Sequence, residues 1–85
     1  MTPSTPAFRE LDSVVLRRDL PDAGLRAGDV GTVVLVYGVD AVEVEFVTHA
    51  GRTQALRTLA VSEVRPLADD DLPAVRPVRS VSDAA

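Results

Sequence analysis

Short apolar stretches alternate with polar residues along this chain, and clusters of turn residues separate one stretch from the next. From residue 8 to residue 67, apolar runs and turn signals recur about every 8 to 12 residues, a spacing typical of small all-β domains. Segment 41–48 alternates most clearly, because valine or phenylalanine occupies every second position and two glutamates lie between them. The pattern therefore predicts short strands that each bury one face.

Turn residues divide this region into five predicted strands and one short helical turn. Gly31 stands inside the second strand, where a glycine usually marks a bulge or a close approach between backbones. Five short antiparallel strands close most economically into a barrel, because closure limits open edges. The expected fold is all-β, a small SH3-like, partly open five-stranded antiparallel barrel. Its strands are predicted at 13–18, 30–37, 41–48, 53–59 and 64–67, with the helical turn at 60–64.

The two ends of the chain differ from this central region in composition. Residues 1–7 contain two prolines and two threonines without periodicity, which predicts a flexible N-terminal arm before a barrel at 8–67. Residues 68–85 begin with three aspartates and continue with proline and arginine, which predicts a disordered tail. For the segment 73–79 two alternatives stay open: it docks on another protein, or it docks back on its own barrel.

Composition and charge narrow the classes of function. The 85 residues suffice for one domain, and without cysteine the chain can form neither a disulfide nor a thiolate metal site. All nine basic residues are arginine and the net charge is −4, which disfavours binding to a nucleic-acid backbone. The chain has neither an apolar run of about 18 to 20 residues nor the pattern of a secretory signal, so a cytoplasmic location is expected.

A series of short motifs follows the predicted loops and strands: Asp19-Leu-Pro21, Gly24-Leu25, Gly28-Asp-Val-Gly-Thr-Val-Val34, Val42-Glu-Val-Glu-Phe46 and Val64-Arg-Pro-Leu67. Together these motifs resemble a family of short bacterial proteins known only as a domain of unknown function (domain of unknown function 4926). The resemblance implies an SH3-like barrel for most of the chain. More distantly, segment 28–34 is similar to the glycine-bearing strand of KOW modules and to the barrel of the nitrile hydratase β subunit, which implies docking to a larger partner, protein or RNA.

Candidate groups for catalysis or metal binding are few. His49 is the only histidine and lies in a predicted turn, without the partners that a metal or a general base requires. Glu43 and Glu45 share the outward face of one strand, where both carboxylates should stay solvated, which disfavours general acid–base catalysis. Arg57 is expected opposite them as a cross-strand pair. A phosphate loop requires a helix after its glycines, whereas Gly24, Gly28 and Gly31 are followed by strand residues, which excludes such a loop. No enzyme activity, cofactor or metal is expected.

The function that the sequence favours is a non-enzymatic protein-interaction module that binds a larger cytosolic protein. One version is an immunity- or antitoxin-like protein, since an acidic surface can cover a basic target. The alternatives are a KOW-like nucleic-acid or ribosome-associated domain and a structural accessory subunit of an enzyme. The chain is expected to be a monomer or a weak homodimer, without membrane contact. The candidate partner surface comprises Asp19, Asp22, Arg26, Asp29, Tyr37, Glu43 and Glu45.

Overall fold

A computed structural model describes residues 7–78, and the strands within this range form a single antiparallel sheet. The strands run in the spatial order β4-β3-β2-β1-β5, and no pairing within the described residues joins the two outer strands to close the sheet. The predicted all-β fold with five antiparallel strands is therefore confirmed. The strands are β1 (Ser13–Leu16), β2 (Val30–Tyr37), β3 (Ala41–Val47), β4 (Thr53–Ala60) and β5 (Val64–Pro66).

Two 3-10 turns and one long loop complete the fold. The turn Val61–Glu63 lies where the helical turn was predicted and links β4 to β5. The Glu63 carboxylate accepts a hydrogen bond from the Ala60 backbone N–H at 2.8 Å, which holds the start of this turn. The second turn, Pro21–Ala23, belongs to residues 17–29, called here the long loop, which connect β1 to β2. Proline at its first position suits the turn, since its φ angle is already fixed.

The core is a single apolar cluster enclosed by the curved sheet and the long loop. β3 contributes Val42, Val44 and Phe46, which confirms the face predicted from its alternation. Ala23 and Leu25 of the long loop are buried in the same cluster, so this loop forms part of the hydrophobic core. Burial of a valine, leucine or phenylalanine side chain contributes about 1.5–3 kcal/mol to stability. The remaining members are Phe8, Val14, Leu16, Val33, Leu59 and Val64.

Gly31 marks the closest approach between β2 and the core side chains of β3. It pairs with Val14 of β1, so its missing side chain would point into the core. A Cβ atom there would lie 2.5 Å from a methyl carbon of Val44 and 2.8 Å from the ring of Phe46. The sequence predicted a bulge or a close approach between backbones at this glycine, whereas the neighbours that leave no room for a Cβ atom are the side chains of Val44 and Phe46. The bulge in β2 lies further along, between Val33 and Leu35.

We expect Gly31→Ala to lower the free energy of unfolding by about 1–3 kcal/mol, because the added methyl group overpacks the core against Val44 and Phe46. Urea denaturation followed by circular dichroism measures this loss as a lower midpoint with an unchanged slope. Thr32→Val, one residue further along the same strand, is the control, because it keeps the β-branched shape on the opposite face of the sheet, and it should change stability by less than about 0.5 kcal/mol. Equal stability of the two variants would contradict the close approach.

Candidate functional site

The outward side of β2, β3 and β4 presents a mixed acidic and apolar surface, called here the outer face. Glu43 lies between Leu35 of β2 and Thr58 of β4, and Glu45 lies between Thr32 and Leu56 in the neighbouring row. The bulge in β2 sets this arrangement, because the residue it inserts turns Leu35 outward while Val33 stays buried. The two carboxylates of β3 therefore lie beside one leucine of β2 and one leucine of β4.

Hydroxyl groups, rather than arginines, hold the two carboxylates of the outer face. The Tyr37 hydroxyl donates to Glu43 Oε1 at 2.6 Å, and the Thr58 hydroxyl donates to the same oxygen at 3.2 Å. The Thr53 hydroxyl donates to Glu45 Oε2 at 2.6 Å. The four ion pairs formed within residues 7–78 use other carboxylates. Both glutamates are thus fixed in position while their charge stays without a cationic partner in the described part of the chain.

The apolar side chains beside these carboxylates are about half exposed. Leu35 is 43% exposed, Leu56 is 52% exposed and Tyr37 is 44% exposed. Single exposed leucines are common on protein surfaces, but these two flank a pair of ordered carboxylates on one sheet face. The outer face thus brings together Tyr37, Glu43 and Glu45, as the sequence predicted, and adds two leucines that alternation alone did not single out.

Arg57 is not on the outer face, so the expected cross-strand pair with Glu43 and Glu45 is wrong. Arg57 lies opposite Val44 in the register, and its guanidinium reaches Asp22 of the long loop at 3.1 Å. The cause is a bulge between β3 and β4, which leaves Gln54 as an extra residue. Without that residue the pairing would place Arg57 opposite Glu43. A shift of one residue transfers every later side chain of a strand to the other face.

The four candidate residues of the long loop lie apart from the outer face and mainly shape the loop itself. Asp19 accepts a hydrogen bond from the Ala27 backbone N–H at 2.9 Å. Asp29 accepts one from the backbone N–H of Arg26 at 2.8 Å. Asp22 is paired with the arginine of β4 described above. The predicted partner surface is therefore divided between two regions of the molecule.

Residues 68–78, called here the tail, have a defined position on the barrel. Asp71 binds the Arg65 guanidinium through two hydrogen bonds, at 2.8 and 3.0 Å, and also accepts the Ala68 backbone N–H at 2.7 Å. The hydrogen bond from Arg65 is the main cause that lowers the pKa of Asp71 to about 2. These bonds turn the chain immediately after β5. In the structure, residues 73–78 lie against the long loop and the turn between β3 and β4, as in the alternative in which the segment docks back on its own domain. The disorder predicted for the tail stays a prediction. Residues 1–6 of the predicted arm and residues 79–85 lie outside the described residues.

The tail reaches the long loop at Arg76, a residue that the sequence did not single out. Its Nε donates to Asp29 Oδ1 at 3.0 Å, and its Nη2 donates to Asp29 Oδ2 and, at 3.1 Å, to the Gly24 carbonyl. Burial would by itself raise the pKa of Asp29, but the hydrogen bonds from Arg76 and from the Arg26 backbone hold it below its ordinary value. A groove of about 410 Å³ lies between tail and barrel.

Residues 7–78 contain no group of three or more histidine, aspartate or glutamate side chains placed to hold a metal ion. His49 is exposed in the turn between β3 and β4 and lines the groove beside the tail. Within the same residues, no helix is long and apolar enough to cross a membrane.

Comparison with known proteins assigns the chain to a family. The model of the family described as Domain of unknown function (DUF4926) matches residues 10–66, which include all five strands. The chain therefore belongs to this family, as its motifs suggested. Neither the curated proteins nor the solved structures contain a significant match.

The hydrogen bond between Tyr37 and Glu43 has a direct spectroscopic test, because Tyr37 is the only tyrosine and the chain has no tryptophan. The carboxylate raises the pKa of Tyr37 above 10.0. The bond therefore stabilises the fold below pH 10.0, and its contribution is lost as the pH rises through the folded-state pKa. We expect Glu43→Gln to lower the pKa of Tyr37 towards 10.0 in an absorbance titration at 295 nm.

Glu45→Gln is the matched control for this titration, because Glu45 bonds Thr53 and not the tyrosine. It should leave the pKa of Tyr37 at the wild-type value. Circular dichroism at each pH verifies that the sheet is still folded. Equal values for the two variants would mean that Glu43 does not hold the phenol in solution.

Proposed function

We propose that this chain is a protein-interaction module without catalytic activity of its own, and that its outer face binds a larger protein. The observation that carries the proposal is the pair of ordered carboxylates, Glu43 and Glu45, which no arginine of residues 7–78 neutralises. A charged group that is already held in position loses little conformational freedom when a partner's cation arrives. The outer face is therefore suited to a basic partner.

The exposed apolar side chains supply the other element of such an interface. Leu35, Leu56 and Tyr37 can lose their solvent contact against a partner, and aromatic residues are enriched where interfaces are most buried. Charge complementarity would guide the encounter and select the partner, whereas the apolar contacts would contribute to affinity. The arrangement supports binding of a folded protein surface with arginine or lysine beside an apolar patch.

An immunity- or antitoxin-like role is the specific version that we propose, acting in the cytoplasm on a toxin encoded nearby. Its support is the net charge of −4 together with the acidic outer face, which suits a basic protein such as a nuclease. The arginines favour nucleic-acid binding less, because Arg18, Arg57 and Arg65 are each paired with a carboxylate of the same chain.

The test is affinity purification of the tagged full chain from its native host at low salt, with mass spectrometry of what co-purifies. We expect one stoichiometric protein with a basic surface. The variant Glu43→Gln/Glu45→Gln should recover it at least tenfold less well, equivalent to about 1.4 kcal/mol. The matched control, Glu10→Gln/Asp69→Asn, removes the same charge from exposed positions off the outer face and should recover it normally.

Three outcomes would overturn parts of this proposal. Equal recovery by both double variants would exclude the outer face as the interface. Ribosomal proteins or RNA in place of a single protein, with retention on heparin, would assign the KOW-like alternative. If the captured protein does not inhibit growth when it is expressed alone, the antitoxin-like version is wrong while the interaction module stands.

A further inference from the structure

The contact between the tail and the long loop is concentrated at one side chain. Arg76 binds the Asp29 carboxylate through two nitrogens and also binds the Gly24 carbonyl. With side chains 27% and 20% exposed, this is the most enclosed of the four ion pairs within residues 7–78. A planar guanidinium with a carboxylate and a carbonyl around it is a geometry that selects arginine over lysine.

Most residues between Asp71 and Val78 of the tail, Arg76 excepted, bury little surface against the domain. Val75, next to the anchoring arginine, is fully exposed, and Leu72 is 93% exposed. Pro73, Ala74 and Pro77 are exposed as well. Because these side chains bury so little surface, the part of the tail beyond the Asp71–Arg65 pair is attached mainly through Arg76.

The groove beneath the tail is only partly filled. A volume of about 410 Å³ stays open between the tail, which forms one wall of the groove, and the residues beneath it. Val47, which is 48% exposed, lines it from β3, and His49 and Gln54 line it from the turn and the start of β4. An extended segment with longer apolar side chains beside its arginine would bury more of this surface than the tail does.

The arginine-binding position is built by the long loop independently of the tail. The Arg26 backbone N–H holds the Asp29 carboxylate, and Gly24 adopts a φ of 72° that presents its carbonyl. The Gln54 side chain donates to the Ala23 carbonyl at 3.1 Å and fixes the loop against β4. None of these contacts involves the tail, so the position should keep its shape when the tail leaves.

We propose that Asp29 and the Gly24 carbonyl form an arginine notch that binds an extended, proline-containing segment of a partner protein, and that Arg76 occupies this notch in its absence. The segment would carry the order of the tail, an apolar residue, arginine and proline, as in Val75-Arg76-Pro77. The tail then acts as an intramolecular competitor that a better-fitting segment displaces. The notch shares no residue with the outer face, so this proposal does not depend on the one above.

The probe is a fluorescein-labelled peptide with the sequence Leu-Pro-Ala-Val-Arg-Pro-Val of residues 72–78, titrated against the full chain. In wild type the tail competes, and the apparent affinity falls with the fraction of empty notch. Arg76→Ala empties the notch and should bind the peptide at least tenfold more tightly than wild type. Arg18→Ala is the matched control, because it also removes an arginine from an ion pair, with Glu63, away from the groove.

Two further measurements test whether the notch itself is the binding position. A peptide with alanine in place of arginine should lose binding to Arg76→Ala, a result that does not depend on any further variant being folded. Adding Asp29→Asn to Arg76→Ala should also abolish binding, with circular dichroism to verify the fold. In a ¹H–¹⁵N spectrum, the bound peptide should shift the amide signals of Gly24, Asp29 and Gln54.

Three results would contradict parts of this proposal. A peptide concentration of about 5 mM exceeds the effective concentration of a segment held by a short tether. If the amide signals show no saturable shift at this concentration, the proposal is overturned. Equal binding by wild type and Arg76→Ala would show that the tail does not compete. A concentration-dependent dimer of wild type that Arg76→Ala dissociates would assign the notch to the tail of a second copy instead of a partner protein.

Discussion

The close approach of β2 to β3 is the constraint on which the remaining structure depends. β2 is the central strand of the sheet, and it pairs with β1 on one side and β3 on the other. At Gly31 it comes so near to Val44 and Phe46 that a Cβ atom has no room. This approach lets a curved sheet of few residues enclose a core, which a domain of this size can only just build. The long loop then covers the core with Ala23 and Leu25.

The prediction from sequence is accurate where the spacing of residues determines the result. The β3 face that carries Val44 and the glycine within β2 follow from period and residue type. The position of Arg57 does not, because the extra residue Gln54 in the pairing of β3 with β4 has no marker in the sequence. A bulge without glycine changes the face of a strand while its apolar pattern stays plausible.

The polar residues of the long loop and tail show a second limit. Asp19 and Asp29 each accept a backbone N–H of the loop, as aspartate commonly does in turns, and this structural role was not predicted beside their role as candidates for partner contact. The tail has the composition of a disordered segment, and two arginine–aspartate pairs, at Asp71 and Arg76, place it on the barrel. Such pairs join residues far apart in sequence or across a turn, so composition does not reveal them.

The outer strands of the sheet differ in length, and this difference bears on aggregation. β5 has only three residues and ends at Pro66, which has no N–H to offer a further strand. β4 has eight residues, and its Gln54 and Arg57 side chains are tied to residues 22–23 of the long loop. Edge strands that are short resist pairing with other chains. β5 therefore offers little backbone to a second copy, whereas β4 is the edge at which two copies that meet in a crowded cell would extend one sheet into the other.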